Sequence, residues 1–154
     1  MRALITEYDL IVPKHLKEAL QLLSSDPPCY RLLAGGTDLM VLFESGNLPQ
    51  GSYLSLSELK ELQKLSYSES LISVGSGVTY SSLQDDKLIT KEFPNLVAAA
   101  ANTGSIAIQN RGTLGGNIAN ASPAADSCPA LLVYDAQLQL ASTGGIRNLP
   151  YTAF

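Results

Sequence analysis

An α/β unit followed by a second lobe of mixed helices and strands is the architecture this sequence predicts. Three observations carry the expectation. The first third reads strand, helix, strand, glycine turn, helix. The remainder alternates short apolar runs with capped helix starts and ends in a hairpin pattern around Thr143-Gly144-Gly145. Between the two, the stretch Gly46 to Ser52 marks a boundary, dividing the 154 residues into lobes 1–50 and 51–154. With 45% hydrophobic and 16% charged residues, the chain can build a core and is not a disordered tail.

The elements follow in order. Tyr8 to Val12 is a short strand, and Pro13 opens a helix in which Leu16, Ala19, Leu20 and Leu23 recur at helical spacing until Asp26-Pro27-Pro28 ends it. Tyr30 to Leu33 is a strand that runs into Ala34-Gly35-Gly36-Thr37-Asp38, and Leu39 to Glu44 continues as helix. Ser52 to Leu56 opens the second lobe as a strand, and Leu71 to Val74 is another, ending at the turn Gly75-Ser76-Gly77. Thr79 to Leu83 has the look of a capped helix, and Phe93-Pro94 introduces one over Asn95 to Ala101. Asn102 to Asn120 reads as a long polar loop. Ser122-Pro123 has the Ser N-cap and first-turn proline of a helix start, and Leu138 to Ala141 pairs with Arg147 to Leu149.

Composition excludes several classes of function. The formal net charge is -4 and no run of Lys and Arg stands out, so nucleic acid is not an expected partner. An anion bound here must be held by local geometry, chiefly backbone N–H groups. Residues Met1 to Leu10 lack a signal-peptide shape, and the longest apolar run, Leu96 to Ala101, is too short to span a bilayer. A soluble, cytoplasmic protein without a membrane partner is expected. Cys29 and Cys128 are read as reduced, mostly buried thiols; two cysteines cannot hold an iron–sulfur cluster, and a single histidine, His15, leaves zinc unsupported.

Three segments carry candidate chemistry. In Leu32-Leu33-Ala34-Gly35-Gly36-Thr37-Asp38-Leu39 a strand delivers two glycines to a helix start, where unpaired N–H groups and the positive end of the macrodipole suit a phosphate. An ordinary turn capped by Thr37 or Asp38 is the equal alternative. Asn110-Arg111-Gly112-Thr113-Leu114-Gly115-Gly116-Asn117-Ile118-Ala119-Asn120 gathers three glycines, small polar side chains and one arginine, with Leu114 and Ile118 pinned to a core. It can curl into an anion nest or form a plain surface loop. On the first reading a side chain at Gly115 would fill the space a phosphate needs. Asp126, after Ser122-Pro123, either caps a helix or accepts hydrogen bonds from a polyol or ribose hydroxyl. Gly75-Ser76-Gly77 is better explained as a turn.

The motifs from Ala34 to Leu39 and from Thr113 to Asp126 resemble the two FAD loops of the flavin (medium) subunits of molybdenum hydroxylases, the group of xanthine dehydrogenase and aerobic carbon monoxide dehydrogenase. The resemblance implies a two-lobed α+β FAD-binding fold of the PCMH, or vanillyl-alcohol oxidase-like, type, truncated at its C-terminus. It implies that Leu32 to Leu39 wrap the pyrophosphate of FAD, that Thr113 to Asn117 form the second loop, and that Asp126 contacts the flavin side. It further implies an iron–sulfur subunit and a molybdopterin-binding large subunit as partners, with electrons passing through FAD to NAD or another acceptor. A truncated, non-catalytic remnant that binds flavin or a partner is the alternative, and the chain alone is expected to retain FAD poorly. Gln109 departs from the pattern, standing where the family usually has arginine.

Overall fold

The computed structural model describes residues 7–25, 27 and 29–154. Strand β1 (Tyr8–Ile11), helix α1 (Leu16–Leu23), strand β2 (Tyr30–Leu33), helix α2 (Thr37–Glu44) and strand β3 (Gly51–Ser55) follow one another as the sequence predicts. Helix α1 ends at Leu23; Asp26 and Pro28, expected to terminate it, lie outside the described residues, as does the segment Met1 to Thr6.

The three strands form one parallel sheet in the order β1-β3-β2. Tyr8 pairs with Gly51 on one side of β3, and Tyr30 pairs with Ser52 on the other. The expected boundary at residue 51 is therefore corrected. The strand assigned to open the second lobe is the central strand of the first, because β1 and β2 make no ladder with each other and need β3 between them. Leu54 on β3 and Leu59 beyond it are fully buried with Ala19 of α1, and Leu16, Leu23 and Leu62 pack around them. Tyr53, pointing to the other face, is buried against Tyr8, whose ring also meets Phe43 of α2 edge-on.

A second core serves the rest of the chain. A 3-10 turn (Lys60–Gln63) leads to the antiparallel pair β4 (Leu65–Tyr67) and β5 (Ile72–Val74). Five helical segments follow: α3 (Tyr80–Asp85), α4 (Lys87–Glu92), α5 (Pro94–Asn102), α6 (Ile106–Gln109) and α7 (Leu114–Asn120). Helix α8 (Ser127–Val133) and the hairpin β6 (Gln137–Ser142) with β7 (Gly145–Pro150) complete the order. Val78, Leu83, Ile89, Leu96, Leu114 and Leu131 meet in this core. Burying side chains of this kind stabilises by roughly 1.5–3 kcal/mol each.

Two expectations fail locally. The stretch Asn102 to Asn120 is not one loop: Ser105 and Thr113 cap short helices, accepting from the Ile108 and Gly116 amides at 3.4 and 3.0 Å. Ser122-Pro123 starts no helix. It makes a turn in which the Ala125 amide donates to the Ser122 carbonyl at 3.0 Å, and α8 begins five residues beyond Ser122. Cys29 is exposed and Cys128 half-buried, so the expectation of two mostly buried thiols holds for neither in full. No helix among the described residues is long and apolar enough to cross a membrane.

The β4 strand is tied to the helices by a side-chain latch. Tyr67 donates to Asp86, whose carboxylate also caps α4 by accepting from Leu88 and Ile89 at 2.9 Å. The Tyr67 hydrogen bond first, then the Ile89 amide, hold Asp86 below its ordinary value. A carboxylate depressed in the folded state stabilises above its unfolded pKa, and that contribution disappears as pH falls through the folded one. Acid unfolding monitored from pH 6 down to below about 4 should therefore show Tyr67→Phe less stable than the parent at pH 6 and nearly equal to it at the acid end. A constant difference across the range would show that the latch is not what titrates.

Candidate functional site

The first loop lies at the carboxyl end of β2, where open parallel sheets commonly place ligands. The chain leaves the sheet at Leu33, and Gly36 takes φ 75°, a left-handed conformation that glycine adopts without a Cβ penalty. That turn directs the start of α2 outward. Neither Thr37 nor Asp38 caps it: Gly36 occupies the N-cap position and no side chain accepts there. The Met40 amide donates to Gly36 at 2.8 Å, but the amides of Gly36, Thr37, Asp38 and Leu39 find no acceptor among the described residues. Leu33 to Thr37 and Leu39 are half-buried, while Leu32 and Asp38 are exposed.

The second loop is built differently. Every amide at the start of α7 is already used: Leu114 donates to Val78, Gly115 to Ser76 and Asn117 to Thr113, each at 3.0 Å, and Gly116 to the Thr113 hydroxyl at 3.0 Å. Thr113 and Leu114 are buried and serve this arrangement. A Cβ on Gly115 would lie 2.6 Å from the Ser76 carbonyl oxygen. Glycine is needed there so that α7 can seat on the Gly75-Ser76-Gly77 turn, which corrects the expectation that a side chain would fill phosphate space. Asn117 is half-buried, and its carboxamide oxygen accepts from the buried Ser127 hydroxyl, linking α7 to α8. Asp126 precedes α8, is exposed and caps nothing, so its carboxylate has no partner among the described residues.

The two loops are brought together. A Cβ on Gly35 would sit 2.0 Å from the Arg111 carbonyl oxygen, and one on Gly116 would lie 3.7 Å from the Ala34 Cβ. The Arg111 Nε donates to the Gly35 carbonyl at 3.4 Å, leaving an exposed guanidinium beside the unpaired amides of α2. The surface they make is open. Two cavities lie elsewhere, one of about 150 Å³ under the β6–β7 hairpin beside Tyr151 and one beside Lys14, Lys60 and Lys64. No group of three metal-ligating side chains occurs among the described residues.

Gln109, the departure from the family pattern, is buried, and its amide donates to the Ala101 and Gly104 carbonyls at 2.9 and 3.3 Å while its oxygen accepts from Gln84. It closes the turn between α5 and α6 and does not face the loops. Sequence reasoning missed Tyr80. It is 4% exposed, and its ring packs so closely on the second loop that a Cβ on Gly112 would be 2.7 Å from Cε2. The signal available was its place one residue after the Thr79 cap, facing a glycine in the other motif.

With this geometry in view, comparisons with known proteins place the chain. Residues 6–154 match the family described as the FAD binding domain in molybdopterin dehydrogenase, and the chain belongs to that family. It is 34% identical over 140 residues to the xanthine dehydrogenase FAD-binding subunit of Escherichia coli O157:H7, covering 90% of this chain and 48% of that protein. It is 32% identical to the nicotinate dehydrogenase FAD-subunit of Eubacterium barkeri, covering 96% of this chain and 50% of that one. Its fold matches a chain of quinoline 2-oxidoreductase from Pseudomonas putida 86 with a TM-score of 0.87 at 31% identity, over 94% of this chain and 50% of that one. The α+β FAD-binding fold and FAD as the cofactor follow from this membership. The chain spans about half the length of the curated relatives it matches.

The close approach at Gly35 gives a direct test. Gly35→Ala forces a methyl group into the Arg111 carbonyl and must part the loops, which costs about 3 kcal/mol by the usual scale of overpacking. Gly144→Ala, where a Cβ meets only the Ser142 hydroxyl at an ordinary 3.6 Å, should cost little. Thermal melts should show Gly35→Ala lower by roughly 10 °C. Equal melting points for the two variants would mean the loops are not in backbone contact.

Proposed function

We propose that this chain supplies the pyrophosphate-binding part of the flavin subunit of a molybdenum-hydroxylase-type oxidoreductase. One observation carries the residue assignment: four consecutive amides, Gly36 to Leu39, find no acceptor among the described residues at the start of α2, directly after Gly35, whose backbone lies against the second glycine loop. Unpaired amides at the positive end of a helix suit a phosphate, and two phosphates need more donors than one turn provides. The Thr37 hydroxyl and the Arg111 guanidinium supply further donors at the same place. The residues present therefore fit the pyrophosphate of FAD.

On this reading Leu32, Leu33, Ala34, Gly35, Gly36, Thr37, Asp38 and Leu39 make the phosphate cradle. Thr113, Leu114, Gly115, Gly116 and Asn117 form the facing wall, and because its amides are internally bonded it acts through shape and through the Asn117 side chain. Asp126 is an acceptor for a cofactor hydroxyl on the flavin side. FAD when bound supplies the redox chemistry; the chain supplies position and electrostatics. The family membership supports an iron–sulfur subunit and a molybdopterin-binding subunit as partners, with this subunit standing between the iron–sulfur clusters and NAD or another acceptor.

The test is competition binding on the purified chain. FAD should bind, ADP should compete with it, and riboflavin should not, since the assigned contacts are to the pyrophosphate. The chain should retain FAD weakly, because the described loops are open and an uncovered flavin ring forfeits about 25 cal/mol per Å² of apolar surface left in water. Riboflavin competing as well as ADP would overturn the phosphate assignment.

A further inference from the structure

We infer that Ser127 sets the polarity of the second loop's wall: its hydroxyl holds the Asn117 carboxamide by the oxygen, so that a ligand meets the N–H donors and not the carbonyl. The inference rests on the phosphate site proposed above and assigns it a positioning residue.

A carboxamide has an acceptor at one end and a donor at the other, and the two ends have nearly the same shape. A phosphate oxygen can be met only by the donor. Which end is left for the ligand is decided by what grips the other. Ser127, at the start of α8, is 2% exposed, and its hydroxyl makes one hydrogen bond among the described residues, donated to Asn117 Oδ1. A buried hydroxyl must place its proton, because an unmade bond costs the desolvation of the group. Only the oxygen end of Asn117 can receive it. With the amide turned over, nitrogen would face the hydroxyl and the Ser127 proton would have no acceptor among the described residues. The Asn117 oxygen is thus committed to the protein. Its nitrogen donates to no described residue, and no buried side-chain nitrogen among the described residues lacks a partner, so this end opens onto the surface.

Neither end of the grip can drift. The Asn117 amide donates to the Thr113 carbonyl at 3.0 Å within α7, and the Leu114 and Gly115 amides fix that helix to Val78 and Ser76. Gly116, the residue before Asn117, adjoins the first loop, since a Cβ on it would lie 3.7 Å from the Ala34 Cβ. Ser127 opens a helix whose Ala130 and Leu131 are buried in the second core. Between them the chain turns at Ala121, with φ 49°, and again where the Ala125 amide donates to the Ser122 carbonyl at 3.0 Å. The Ser127–Asn117 bond closes that excursion. Asp126 immediately precedes Ser127, so one bond both orients the donor Asn117 and tethers the acceptor Asp126 to it.

Titration of the purified chain with ADP tests the assignment. Ser127→Ala frees the amide to turn and should weaken ADP binding about fivefold, the effect of leaving one side chain for the ligand to order. Asn117→Ala removes the donor and should weaken binding about tenfold. In that background Ser127→Ala should bring no further loss, because the residue it acts through is gone. A loss of the same size in both backgrounds, or none in either, overturns the positioning role. Ser127→Cys, close to serine in volume and a poorer donor, should fall between serine and alanine, and carries the same comparison if the alanine variant does not fold. The second readout is the side-chain amide signal of Asn117 in a nitrogen–proton correlation spectrum of the unmutated chain, identified by its absence from Asn117→Ala. It should shift when ADP is added. A signal that stays still while ADP binds refutes the Asn117 contact, and with it the role of Ser127, and leaves the α2 donors standing. Failure of the unmutated chain to bind ADP refutes the phosphate site itself, and this inference with it.

Discussion

Backbone laid directly on backbone is the constraint on which the rest of this structure depends. Such contact is possible only where a residue has no Cβ. A Cβ on Gly75 would be 2.2 Å from the Leu62 carbonyl oxygen, one on Gly115 would be 2.6 Å from that of Ser76, and one on Gly35 would be 2.0 Å from that of Arg111. These three approaches stack four segments: the 3-10 turn after β3, the turn after β5, the start of α7 and the loop after β2. The parallel sheet with its α1 core and the helical core around Leu83 and Leu114 are joined through this stack. The residues that register the two cores against each other are therefore the same ones that form the candidate site.

That double use explains why the two glycine motifs, similar on paper, behave differently. Hydrogen bonds to protein acceptors consume the amides of the second motif, since α7 must be held on the Ser76 turn by Leu114 and Gly115. The first motif sits at the outer end of the stack. No described residue accepts from the amides of α2's first turn, and they remain available. An amide left unpaired in a folded protein is a cost unless water or a ligand meets it. An open site keeps that cost low by leaving the amides wet, and makes them ready for an anion.

Much of the first loop was legible in the sequence, because a strand, two glycines and a helix start are adjacent in the chain and each has a local signature. The pairing of strands was not. The central place of β3 depends on two crossovers, and no local pattern distinguishes a strand that joins the preceding sheet from one that begins a new one. The capped helices inside Asn102 to Asn120 were hidden for a different reason. Ser105 and Thr113 are good caps, but Gly115 and Gly116 are poor helix formers, and propensity argues for loop. Tertiary packing on Ser76 overrides it. Ser122-Pro123 misled in the opposite direction: the cap and proline are present, yet Ala121 at φ 49° has just ended α7 and the chain turns before starting again. Tyr80 was invisible because its meaning lies in a contact with a residue 32 positions away.

The charge of the chain sharpens what kind of anion the site suits. With a net charge of -4 and with Asp38 and Asp126 beside the loops, the site offers no broad positive field to gather phosphate. A free phosphate gains only the few directional donors of α2 and is repelled by the carboxylates. A dinucleotide brings hydroxyl groups as well as phosphates, and a carboxylate that repels the latter can accept from the former. On the proposed assignment Asp126 then changes from an unfavourable neighbour to a partner, and its exposed, uncapped position becomes intelligible. On that assignment, selectivity for a polyol diphosphate over a simple anion comes from the pairing of α2's donors with the acceptor Asp126. The glycine stack maintains their spacing, because the segments carrying Asp38, Tyr80 and Asn117 cannot slide past one another without driving one backbone into the next.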